Sequence, residues 1–67
     1  MYQITVAYDG NTIHWNKNYA DALEAFESFL SFKDWGMAME YSTVNLMTNT
    51  GKMYTRIFYR DGKVVTR

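Results

Sequence analysis

The chain opens with a regular alternation. In YQITVAY (Tyr2 to Tyr8), Ile4, Val6 and Tyr8 alternate with Gln3, Thr5 and Ala7. A period of two is the pattern of a strand with one buried face. Asp9-Gly10 follows, and TIHWN returns as a second strand. Asp-Gly between alternating segments predicts a two-residue type I′ hairpin, because that turn needs positive φ at both central residues. Such a loop pairs Val6 with Ile13, Ile4 with Trp15, Thr5 with His14 and Ala7 with Thr12. The first two pairs are apolar and the other two mostly polar, so the register gives one core face and one wet face.

From Asn18 to about Phe32 the period changes. Tyr19, Ala22, Leu23, Phe26, Phe29 and Leu30 recur at three and four residues and predict one apolar stripe of a helix. Asn18 is placed to cap it, with its side-chain oxygen accepting a first-turn N–H. Asp21, Glu24 and Glu27 face away from the stripe, toward the end where the helix dipole favours acids. Phe32 and Trp35 extend the apolar surface, and Gly36 is a natural stop.

From about Ala38 the pattern returns to β. MEYSTVNLMT reads as a third strand, NTGK as a turn, MYTRIFYR as a fourth strand, and KVVTR after Asp61-Gly62 as a short fifth. A turn centred on Thr50-Gly51 pairs Thr48 with Met53, Leu46 with Thr55 and Val44 with Ile57. A type I′ turn at Asp61-Gly62 pairs Tyr59 with Val64 and Ile57 with Thr66. In this register Val44, Leu46, Ile57, Tyr59 and Val64 share the core face. Tyr41, Thr43, Asn45 and Met47, then Tyr54, Arg56, Phe58 and Arg60, then Lys63, Val65 and Arg67, share the other. The fold class is α+β, a five-stranded antiparallel sheet in the order β-β-α-β-β-β with one helix packed on one face.

Composition adds three constraints. With 67 residues the chain is expected to form one domain over 1–67, with a core that is marginal for its size. There is no Cys and one His, so neither a disulfide nor a structural zinc site is expected, and dense aromatic packing or oligomerisation is left as the staple. No apolar run approaches the length of about 20 residues that spans a bilayer, and MYQITV has no signal-peptide pattern, so a cytoplasmic location is expected.

The formal net charge is zero, yet it is unevenly placed. Over Met1 to Gly51, Lys17 and Lys33 stand against Asp9, Asp21, Glu24, Glu27, Asp34 and Glu40, a net −4. Over Lys52 to Arg67, Lys52, Arg56, Arg60, Lys63 and Arg67 stand against Asp61, a net +4. The predicted register sets Arg56 opposite Arg67 and Arg60 opposite Lys63. Opposed like charges destabilise a hairpin unless an anion or acidic partner offsets them. Basic edge strands that discourage aggregation are the plainer explanation.

These features define a candidate contact surface of Tyr54, Arg56, Phe58, Arg60, Lys63 and Arg67, flanked by Tyr41 and Met47. Aromatic, Met and Arg residues are enriched at interfaces, and a contiguous exposed apolar patch marks a contact site. On this reading the double change of Phe58 and Arg56 to alanine abolishes binding and leaves the fold intact. An acidic protein surface is the first partner class. Single-stranded DNA or RNA is the alternative, with bases stacked on the aromatics and phosphates on the cations. Self-association also qualifies, with the basic hairpin of one subunit near the acidic helix of the other.

Catalysis has little support in the residues. His14 reads as a polar-face strand residue, and Asp21, Glu24 and Glu27 as a solvated helix face. Asp9 and Asp61 read as turn residues, and the four glycines form no phosphate-cradling loop. No cofactor and no metal is expected. Three helix carboxylates are too few to imitate a phosphate array.

The helix YADALEAFESFL and the closing stretch TVNLMTNTGKMYTRIFYRDGKVV resemble, as a layout, the small phage-encoded anti-defence inhibitors, anti-CRISPR proteins among them. In those a hairpin, one helix and a closing antiparallel meander form the whole molecule. The resemblance covers most of the chain as element order and turn chemistry and includes no site motif. It implies a stoichiometric, non-enzymatic inhibitor of a host protein or protein–nucleic-acid complex in the host cytoplasm. No residue role is carried over with it.

Overall fold

The computed structural model describes residues 1–10, 13–33 and 39–67, with the side chains of Ile13 and His14 excepted. The readings of Thr12 as the partner of Ala7, of Trp35 as added apolar surface and of Gly36 as a helix stop lie outside the described residues, as does the side chain of His14. Five strands and one helix follow in the predicted order: β1 Tyr2–Tyr8, β2 Ile13–Tyr19, α1 Ala22–Ser31, β3 Tyr41–Met47, β4 Met53–Tyr59 and β5 Val64–Thr66. The sheet is antiparallel throughout, in the order β2-β1-β3-β4-β5. The fold is a small α+β sheet with one helix, as the pattern predicts.

β1 and β3 form the centre of the sheet. Ile4 pairs with Leu46, Val6 with Val44 and Tyr8 with Ser42. All six are buried, and five of them join Phe29, Ala25, Tyr19 and Phe58 in the core under the helix. Ser42 is the buried polar member, with its hydroxyl unpartnered among the described residues.

The helix is shorter than its apolar stripe. Tyr19 fits the helical spacing of the stripe and also the alternation Trp15, Lys17, Tyr19. The strand prevails, because Tyr19 pairs with Tyr2 and is buried. Asn18 is therefore a strand residue, and Asp21 is the N-cap, its carboxylate accepting from the Glu24 N–H at 3.1 Å. Inside the helix Ala25 and Phe29 are buried and Ala22 and Phe26 half-buried, whereas Leu23 and Leu30 stay 68% and 63% exposed. The small Ala25 lets the helix approach the sheet on that side, and this turns both leucines outward.

The first hairpin keeps its faces and shifts its pairs. Asp9 and Gly10 both have positive φ (53° and 73°), as a type I′ pattern requires. A bulge between Val6 and Ala7 then sets Val6 against Trp15 and Ile4 against Lys17. The displacement is two residues from the expected pairing, so core residues still face the core.

The other two hairpins correct the sequence reading. Each turn has three residues. Gly51 N–H donates to Thr48 O at 3.0 Å and Thr48 N–H to Lys52 O at 2.9 Å. Gly62 N–H donates to Tyr59 O at 3.0 Å and Tyr59 N–H to Lys63 O at 2.8 Å. Gly51 and Gly62 have φ of 85° and 94°, the left-handed residue that closes a type I turn into a G1 bulge. The extra residue moves each register by one. Val44 meets Arg56, Leu46 meets Tyr54, Ser42 meets Phe58 and Thr43 meets Ile57. Phe58 meets Val64 and Arg56 meets Thr66.

A one-residue slip turns a strand over. Tyr54, Arg56 and Phe58 therefore point to the helix side, and Ile57 and Tyr59 to the far side. Phe58 is 7% exposed and belongs to the core. Ile57 is buried on the far face beside Thr43 and Val65. The expected opposition of Arg56 to Arg67 is absent, since Arg67 exchanges backbone hydrogen bonds with Thr55 at 2.7 and 3.3 Å.

Phe58→Ala is accordingly expected to lower the unfolding free energy by about 3–5 kcal/mol, as for other buried aromatic truncations. Urea denaturation followed by tryptophan fluorescence measures it. A change within about 0.5 kcal/mol, the range of ordinary surface substitutions, would return Phe58 to the surface.

Candidate functional site

The arginines of YTRIFYRDG have structural partners. No basic residue lies in the last turn of α1, so its terminal carbonyls lack a local cation. Arg56 supplies one from the sheet: its Nη1 donates to Leu30 O at 2.9 Å and to Phe29 O at 3.3 Å. The guanidinium carbon also lies 5.1 Å from the centroid of the Phe58 ring, within cation–π range. Arg60 Nη1 donates to Met39 O at 3.2 Å, ahead of β3.

The eight predicted surface residues divide between the two faces. Tyr54 is half-buried, with its ring 5.4 Å from Phe26 in an edge contact and Lys52 Nζ 4.9 Å above it. Arg56, Phe58 and Arg60 are on the helix side. Tyr41, Met47 and Arg67 keep their predicted place on the far face, where Tyr41 packs against Tyr59 at 6.1 Å and Met47 pairs with Met53. Asn45 and Thr55 join through side chains at 2.7 Å on that face. The eight therefore do not form one surface.

The helix covers only part of its side of the sheet. Its backbone packs over β1, β2 and β3, leaving β4 and β5 reached by side chains alone. An open groove of about 400 Å³ lies where the chain leaves α1 and meets the β4–β5 hairpin. It is lined by Phe32 and Lys33 beyond α1, by Arg56, Phe58 and Tyr59 of β4, and by Arg60, Gly62, Lys63 and Val64 of the hairpin. Phe32 sets an edge on Phe58 at 5.5 Å, and Val64 is 48% exposed. Among the described residues no carboxylate lines this groove. Glu40 and Asp61 border an adjoining hollow past Arg60.

Arg56, Phe58, Arg60 and Lys63 are the sequence candidates that the structure brings together here. Phe32, Lys33 and Val64 complete the groove and were not among them. Their signal lay in the third-position glycines of NTG and RDG, which set the register that gathers them.

Asp9 has a larger role than a turn residue. Its carboxylate accepts three successive backbone N–H groups, from Met39 at 2.8 Å, Glu40 at 2.7 Å and Tyr41 at 3.1 Å, and its own N–H donates to Tyr41 O at 2.9 Å. These bonds tie the first hairpin to the start of β3. The N–H groups of Met39, Glu40 and Tyr41, in that order of effect, hold the Asp9 carboxyl below its ordinary value.

Among the described residues no group of His, Asp or Glu is placed to hold a metal ion, and no helix is long and apolar enough to cross a membrane. Comparison with protein-family models, curated proteins and solved structures finds no match.

Two outcomes follow from these bonds. Arg56→Met keeps the packing volume and removes the donor, and is expected to cost about 1 kcal/mol and to speed amide exchange at the last turn of α1. Exchange spread evenly over the sheet would show that Arg56 does not hold the helix end. Asp9, with its carboxyl lowered in the folded state, contributes stability that is complete above its unfolded value of about 3.9 and fades as pH falls through the lower folded value. Asp9→Asn should therefore flatten the acid limb of the stability profile, measured by urea midpoints from neutral pH downward. An unchanged limb would remove Asp9 as its cause.

Proposed function

We propose that the protein is a non-catalytic binding protein, and that it receives an acidic, amphipathic element of a protein partner in the groove between the end of α1 and the β4–β5 hairpin. The observation that carries this reading is the lining: Lys33, Arg56, Arg60 and Lys63 share the groove with Phe32, Phe58 and Val64, with no carboxylate among its described lining residues. Burying the exposed surface of Val64 and Phe32 supplies affinity, and the cations select an acidic partner and fix its orientation. A helix lying in a groove is the recognition mode that suits an open groove with apolar and cationic lining. The layout likeness to small phage inhibitors agrees with this mode of action, which needs occupancy of a partner surface and no chemistry.

The geometry disfavours single-stranded nucleic acid as the occupant. Base stacking needs open ring faces. Here Phe58 carries Arg56 over its ring and the edge contact of Phe32, while Tyr54 is taken by Phe26 and Lys52. Tyr41 and Tyr59 pack on each other on the far face.

Heteronuclear NMR with two probes tests the reading: a helical glutamate–leucine peptide and a labelled single-stranded oligonucleotide, each at low and near-physiological salt. The peptide is expected to shift the amides of Lys33, Phe58, Lys63 and Val64 and to remain bound at the higher salt. Oligonucleotide binding at the same amides, falling linearly in log–log against salt, would replace the protein partner with nucleic acid.

A further inference from the structure

The groove is one end of a longer uncovered shelf. α1 lies over the β2-β1-β3 half of the sheet, so among the described residues the helix side of β4 and β5 has no second layer. Beside this shelf the helix presents its own outward ridge. Leu23 and Leu30, seven residues apart and both largely exposed, are flanked by the exposed Glu24 and Glu27. The ridge is acidic and apolar, and the shelf is basic and apolar. Of the six exposed large hydrophobic residues among those described, Leu23 and Leu30 are on the ridge and Val64 is on the shelf. Glu24 and Glu27 of the acidic segment are thus displayed on the helix whose last carbonyls hold Arg56 of the basic one.

We propose that the occupant of the shelf is a second copy of this chain, with α1 of each protomer laid over the β4–β5 half of the other. The inference rests on the docking reading and names its partner. An isologous dimer requires one chain to carry both halves of the contact, and ridge and shelf are such a pair. A two-fold axis running along the helices sets the two helices side by side between two sheets. Each helix then covers its own β1–β3 half and the partner's β4–β5 half. Glu24 and Glu27 come against the Arg56, Lys33 and Lys63 side of the partner, and Leu23 and Leu30 against Val64 and Phe58. A chain of 67 residues without Cys gains from this the second apolar layer that its own single helix does not provide.

Sedimentation velocity from micromolar to millimolar protein tests the proposal. The wild type is expected to pass from monomer to dimer. Leu30→Asp, at an exposed site that leaves the fold intact by circular dichroism, should raise the dissociation constant by about 100-fold, because a two-fold contact loses the leucine twice. Glu27→Lys and Lys63→Glu should each weaken the dimer, and the chain carrying both should recover part of the loss. A wild type that stays monomeric at millimolar concentration overturns the proposal, as does a dimer indifferent to both Leu30→Asp and Glu27→Lys. A monomeric wild type whose shelf amides still move with the glutamate–leucine peptide removes self-association alone and leaves the docking reading standing. A monomer whose shelf ignores the peptide removes both.

Discussion

Gly51 takes a φ of 85° after the type I turn of Asn49 and Thr50, and this one backbone conformation decides which side of β4 meets the helix. A left-handed residue costs an L side chain about 1–2 kcal/mol, and glycine avoids that cost. Space does not select the glycine, since a Cβ at this position would meet nothing within 4 Å. The turn therefore accommodates three residues, and the third residue inverts the strand. Phe58 enters the core, Ile57 moves to the far face and Arg56 comes within reach of the end of α1. Gly62 repeats the device at the next turn, so the fifth strand is turned relative to the fourth by a second one-residue offset.

The same inversion gives the two arginines structural work. Arg56 joins helix to sheet through the Phe29 and Leu30 carbonyls, where it supplies the cation that the last turn of α1 lacks. Asp9 has a comparable role at the other end of the sheet, where one carboxylate gathers three backbone donors ahead of β3. Both charges hold backbone groups that hydrophobic packing cannot satisfy. In a chain of this size the core is small, and such charge-assisted bonds decide how its elements are joined.

The proposed function rests on what the helix leaves uncovered. A ten-residue helix is narrower than a five-stranded sheet, so among the described residues the β4–β5 part of the helix side has no second layer. Lys33, Arg56, Arg60 and Lys63 meet there because β4, β5 and the exit from α1 converge at the same place. The far face has a different character, with Asn45 bonded to Thr55 and the Tyr41–Tyr59 pair beside Ile57. The proposed association with protein rests on this cationic, apolar shelf and the acidic, apolar ridge beside it.

Element order, fold class, the inward face of β1 and the core positions Val44 and Leu46 were determined by the sequence, because alternation in those segments has one apolar side. The start of α1 was less legible, since Tyr19 satisfies the helical and the strand periods together. β4 was undetermined: Tyr54 and Phe58 on one side and Ile57 and Tyr59 on the other are equally able to face a core. Turn length alone separates the two, and NTG and RDG suit loops of two or three residues. The tertiary structure made that choice, since the three-residue register sets Phe58 against Phe32 and brings Arg56 to the carbonyls of Phe29 and Leu30. Those partners lie 26 and 27 residues from Arg56 along the chain. Local periodicity carries no information across such a distance, so the groove they form became visible only in the folded protein.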